Sequence, residues 1–443
     1  MHRKVLAVLL TISAAGAAAA ESYLFTNGNL LTMSGDALVD GEVLVQGERI
    51  VAVGEVPDVA EDNLTVIDMA GGYLMPGLAE MHAHVPQPGR DGAYTEDVLF
   101  LWAAHGITTA RGMLGHATHL ALREDLRAHR TFGPRLITSG PSFNGNSVSG
   151  PEQAASMVRE QHAAGFDFLK IHPGLTLSEY RAMAETAREL GMPFAGHIPV
   201  DVGLIRALEL GKASIDHTDG FVHALVPELT PATPGFGSGF GVGLVDKVDL
   251  ERLPPLVDAT RRAGTWIVPT ETLLENFAGD LDEMLGRPEV RFIPPELLAR
   301  YERAISGREN DDAASRLLEL RRIITLALHE GGVELLLGSD SPQVFNVPGF
   351  SIHRELQSMV AAGLSPLEAI AIGTVSPARF FGMENEFGRI APGLAADLVL
   401  LGGNPLEDIR NTSGIRGVMV RGRWLGEKER QAGLAGIAQR YAE

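Results

Sequence analysis

An alternation limits what this chain can fold into more than any other feature. Between about Pro76 and Met383, short apolar runs alternate with amphipathic helical stretches. Eight runs read as strands: Leu78–His82, Ile107–Arg111, Arg135–Ser139, Phe168–His172, Phe194–His197, Ser214–His217, Trp266–Thr270 and Leu335–Asp340. Most are bounded by Gly or Pro, and stretches such as PEQAASMVREQHAAG and LSEYRAMAETARELG lie between them. Strands separated by helices pair in parallel. Eight such units predict an α/β fold of the (β/α)8 TIM-barrel type. The later gaps are longer, so Val222–Leu256 and Glu275–Leu320 read as insertions over the barrel mouth, with FGSGFGVG (236–243) as a mobile lid tip.

The two ends have another texture. Residues 21–75 hold short apolar runs broken by Asn-Gly and Gly-Gly, and residues 384–443 repeat that pattern before a C-terminal tail. The expected division is therefore 21–75, 76–383 and 384–443, preceded by a signal peptide at 1–20. His2, Arg3 and Lys4 open that peptide, Val5 to Ile12 form its apolar core, and an alanine-rich run ends at Ala20. Cleavage after Ala20 predicts an exported protein, periplasmic or secreted, without a stable membrane anchor. The chain has no cysteine, which excludes disulfides and the cysteine-linked lipid anchor of a lipoprotein. A net charge of −19 repels nucleic acid and anionic membranes and leaves a small-molecule substrate as the expected partner. A homo-oligomer stays open.

Polar residues recur where the strands end, which is where such barrels carry their active sites. Strand one ends AEMHAHV, and residues two apart on a strand face the same way, so His82 and His84 can hold one metal. Lys170 ends strand four, His197 strand five, His217 strand six and Asp340 strand eight. Singly, such a His is more often a packed residue and such an Asp a helix cap; all of them at strand ends together point to a metal centre. A lysine is the odd member, because an ammonium repels metals. Burial favours its neutral amine, which can add carbon dioxide and become a carbamate whose two oxygens bridge two metals; the bland alternative is a lysine reaching out to solvent. Arg111, Asn144, His172 and Glu271 are the candidates for substrate contact. His105, His116, His119 and His353 read as non-ligands, and neither Ser139 nor Ser341 lies in a nucleophile-elbow motif.

These motifs resemble the amidohydrolase superfamily in its binuclear, carbamylated-lysine form. GGYLMPGLAEMHAHV is similar to that family's entry into strand one and HGITTARG to its second strand. LSPLEAIAIGTVSPARFFGMENEFGRIAPGLAADLVLL is similar to its C-terminal signature. The branch most resembled is that of imidazolonepropionase-like and Xaa-Pro-dipeptidase-like members. The resemblance implies a barrel with a small β-sandwich built from both chain ends. It implies two divalent metals, zinc being expected: His82, His84 and Asp340 on the more buried one, His197 and His217 on the second, Lys170 bridging. It further implies hydrolysis of a C–N bond in an amide, lactam or dipeptide by a metal-bridging hydroxide, with Asp340 as proton shuttle. A lactone or ester would suit the same chemistry, and a non-catalytic binding protein could keep the fold. One departure stands out: family members often carry Asp after the Arg of strand two, where this chain has Gly112.

Overall fold

The computed structural model describes residues 21–35, 39–56, 63–306 and 312–442. The expected signal peptide lies outside them. No helix among the described residues is long and apolar enough to cross a membrane.

The middle of the chain holds the alternation seen in the sequence. Leu78–Ala83, Ile107–Gly112 and Arg135–Thr138 form a parallel sheet of three strands. Leu169–Ile171, Phe194–Gly196, Ser214–Asp216 and Trp266–Val268 form a parallel sheet of four. A parallel bridge between Ser139 and Phe168 joins the two sheets. The eighth run is not a continuous strand. It is an extended segment held by bridges at Leu335–Ile267 and Ser341–Ala83, with Leu336 N donating to Ile267 O at 2.8 Å and Met81 N to Leu337 O at 2.9 Å.

Local chemistry sets the helices between the strands. Thr176 and Glu179 exchange side-chain-to-backbone hydrogen bonds in a capping box that starts Leu177–Leu190. Gly165 and Gly191 stop the two helices Pro151–Ala164 and Leu177–Leu190 at φ of 85° and 66°, a conformation that costs other residues a steric clash. The helix Pro88–Ala104 reaches the site directly, since Trp102 Nε1 donates to Ser341 Oγ at 3.1 Å.

At the ends, Ser22–Thr26, Glu42–Gln46, Arg49–Gly54 and Leu64–Asp68 form a four-stranded sheet. A six-stranded sheet combines Asn29–Leu30, Val39–Asp40 and Tyr73–Pro76 with Leu398–Leu401, Ile415–Val420 and Arg423–Gly426. One buried cluster takes Phe25, Val43 and Val45 from the first sheet and Leu74, Leu398 and Met419 from the second. The C-terminal tail is a 16-residue helix, Glu427–Ala442. It docks on Pro88–Ala104, where Tyr441 OH donates to Asp97 Oδ2 at 2.6 Å beside an Arg440–Asp97 ion pair.

Candidate metal centre

The strand ends deliver their side chains to one place. The rings of His82 and His84 stack at 5.5 Å with 16° between planes, as two residues on one strand face should. Asp340 Oδ1 lies 2.8 Å from His84 Nε2 and 3.6 Å from His82 Nε2. His217 completes the group: ligand atoms of His82, His217 and Asp340 all lie within 4.8 Å of one another, and all three residues are buried. The Lys170 amine sits 3.3 Å from His82 Nε2. His197 is the outlying member. Its ring stacks on His217 at 4.5 Å, but its Nδ1 donates to Asp219 Oδ2 at 2.6 Å.

Electrostatics favour neutral bases here. Burial holds His82 and His217 well below the usual histidine range, with Lys170 adding to the effect at His82 and His197 at His217. Burial also depresses Lys170. Neutral imidazoles keep a lone pair for a metal. Sequestered imidazoles next to a carboxylate suit a divalent cation, and His82 Nδ1 and Asp216 Oδ2, 3.5 Å apart, have no hydrogen-bond partner among the described residues. His82, His217 and Asp340 are therefore the residues that could hold metal, with His84 and Lys170 beside them and His197 at the edge of the group.

The backbone turns sharply to make this cluster. His217, Thr218, Thr270 and Asp340 all have φ between 50° and 62°. That region is unfavourable for non-glycine residues, most of all for a β-branched threonine, and such strain concentrates at functional sites. The turn at His217 also lets neighbours that would oppose each other on a strand, Asp216 and His217, both approach His82.

Three of the four substrate-contact candidates are engaged by other groups of the protein. Arg111 is buried and committed: Nε donates to Met81 O at 2.7 Å, Nη1 to Ser214 Oγ at 3.0 Å and Nη2 to Asp216 Oδ1 at 3.1 Å. It ties strands together beneath the cluster. The Asn144 side chain closes its own loop, accepting from Asn146 N at 2.8 Å and Ser147 N at 3.0 Å and donating to Ser142 Oγ at 3.1 Å. Glu271 is buried against Arg321 Nε at 2.9 Å, and Arg321 also donates to the carbonyls of His217 and Pro269. The pair braces His217. His172 stays beside the cluster, its ring 5.2 Å from that of His197, and burial depresses it to about 2.

Several residues escaped the sequence reading. Asp216 and Asp219 flank His217 in SIDHTDG but do not fall on the strand period. Thr270 Oγ1 lies 2.6 Å from His217 Nδ1. Glu80, buried and pushed up to about 8 by that burial, accepts from His82 N at 3.0 Å and Ser339 N at 2.8 Å. It joins the backbone of His82 to that of Asp340's neighbour. The 236–243 segment reaches the cluster, with Phe240 packing edge-on against His217 at 5.6 Å.

The fold and the cluster together place at the strand ends a site that could bind metal, and the family match makes the chain a hydrolase. Residues 73–425 match the model of the amidohydrolase family, so the chain belongs to that family, whose enzymes act on C–N bonds. Imidazolonepropionase of Stenotrophomonas maltophilia (strain R551-3) is 26% identical over 412 residues, covering 85% of this chain and 90% of that protein. A match to adenine deaminase 3 of Rhizobium meliloti (strain 1021) is local: 34% identity over 109 residues, 23% of this chain and only 17% of that protein. Among solved structures, a Xaa-Pro dipeptidase with bound methionine in its active site superposes with a TM-score of 0.68 at 20% identity, covering 92% of this chain and 100% of that one.

Proposed function

We propose that this chain is an exported, metal-dependent hydrolase of a C–N bond in a small lactam, amide or dipeptide. One observation carries the reading: His82, His217 and Asp340 converge to within 4.8 Å at strand ends of an amidohydrolase-family chain. The names of the relatives, imidazolonepropionase and Xaa-Pro dipeptidase, supply the substrate classes. In this reading the two parallel sheets and the eighth segment close into a (β/α)8 barrel, the terminal sheets form a β-sandwich, and residues 1–20 direct export.

Two divalent ions, zinc by preference, would be held by His82, His84, His197, His217 and Asp340, with Lys170 contributing as a carbamate. When bound, the ions polarise a substrate carbonyl and make a water acidic enough to attack near neutral pH. The chain does the rest. Asp340 takes the proton of the attacking water and gives it to the leaving nitrogen. Arg321 and Thr270 hold His217, and Glu80 holds the backbone of His82, so the basic groups stay in register. Burial around Lys170 lowers its pKa and so favours the free amine that carbamate formation needs.

The test is a panel of dipeptides, N-acyl amino acids, lactams and lactones offered to metal-loaded protein. Cleavage of a C–N substrate is expected. Cleavage of lactones alone would move the assignment to ester hydrolysis, and binding without turnover would make the chain a binding protein.

A further inference from the structure

A cavity of about 680 Å³ opens directly beside the histidine cluster, a size suited to a small-molecule group. His197, Asp219, Ile198, Val222 and Phe240 are among its walls. Phe240 belongs to both features, since its ring also meets His217 edge-on. The segment is held down by specific devices. His223 Nε2 donates to Phe236 O at 3.0 Å. Gly241, at φ 79°, lies so close to Val222 that an added Cβ would come within 2.8 Å of it.

The lining has a consistent chemistry. Its charged side chains other than Asp219, which His197 occupies, are Asp201 and Arg206, and both are exposed. Val200 and Ile205, each 43% exposed, are among the few large apolar side chains that the described residues leave open to water, and both face this cavity. Apolar surface left open beside a reactive centre marks a ligand surface more often than accident.

We propose that this cavity takes an uncharged aliphatic or aromatic group of the substrate, on one side of the C–N bond to be cleaved, with Phe240 setting its specificity. The inference rests on the reading that the substrate carbonyl meets the histidine cluster. An apolar group there removes Val200, Ile205 and Phe240 from water, while a charged group would give up hydration for at most Asp201 and Arg206, which are exposed and already hydrated.

Linear hydroxamates, whose head chelates a metal and whose tail would lie in the cavity, test this. They are titrated calorimetrically, from acetohydroxamate to octanohydroxamate, against the metal-loaded full chain. Affinity should rise about three- to fourfold per added methylene until the cavity is full. Phe240→Ala and Ile205→Asn should lower that slope while metal content, measured in parallel, stays at the wild-type level. Equal affinity along the series would overturn the apolar cavity and leave the metal centre standing. Failure of acetohydroxamate and every longer homologue to bind metal-loaded protein would overturn the open metal centre, and the cavity proposal with it.

Discussion

The amine of Lys170 lies 3.3 Å from Nε2 of His82, two basic groups in contact and shut away from water. Neither can take a proton there without a charge cost that burial imposes on both. Burial thus favours the free amine that a reaction with carbon dioxide needs. Metal-stripped protein should therefore recover full activity only when metal and bicarbonate are supplied together, and Lys170→Ala should recover none while short carboxylic acids restore part of it. Recovery by metal alone in bicarbonate-free buffer would count against the carbamate.

Arg111 and Asp216 form a buried ion pair under the cluster, 3.1 Å apart. Removing one partner strands the other charge in the interior. Asp216→Ala should cost about 3–5 kcal/mol of stability in denaturant unfolding. A loss below about 1 kcal/mol would show that Arg111 is adequately held by Met81 and Ser214.

Stability should fall on the acid side through histidines remote from the metal centre. His353 is fully buried, with Nε2 donating to His105 O at 3.1 Å, and burial depresses it to about 4. Its folded pKa lies below the usual value near 6.5, so the unfolded chain binds the extra proton first. Stability is then complete above about 6.5 and declines as pH drops toward 4. In metal-free protein, His353→Gln should flatten the dependence of Tm on pH across that window. An unchanged slope would remove His353 from the account.

Asp340→Asn keeps the volume and one oxygen but cannot accept a proton. It should lower kcat by about 10²–10⁴ while metal content and Tm stay close to wild type. A helix-capping aspartate would behave oppositely, because Asn caps nearly as well. Near-normal kcat with full metal would show that Asp340 does not move the proton.

What could be read in the sequence was what obeys a local period. His82 and His84 stand two apart at the end of a strand, and His217 and Asp340 follow apolar runs, so the sequence implies that they face one place. Partners chosen by packing were not legible. Arg111 meets Asp216 and Glu271 meets Arg321 only because distant strands and helices bring them together. An arginine ending a strand reads equally well as a substrate clamp or a buried tie. The irregular eighth segment was misread as a regular strand because its apolar run looks like the others. In the fold it is pinned by isolated bridges and turns at Asp340.

Metal content measured alongside hydrolysis tests the central claim most directly. Elemental analysis of purified, active protein should find about two divalent ions per chain, lost on chelation in step with C–N bond cleavage and restored with it. Active protein that carries no stoichiometric metal, or activity that survives complete chelation, would contradict the account.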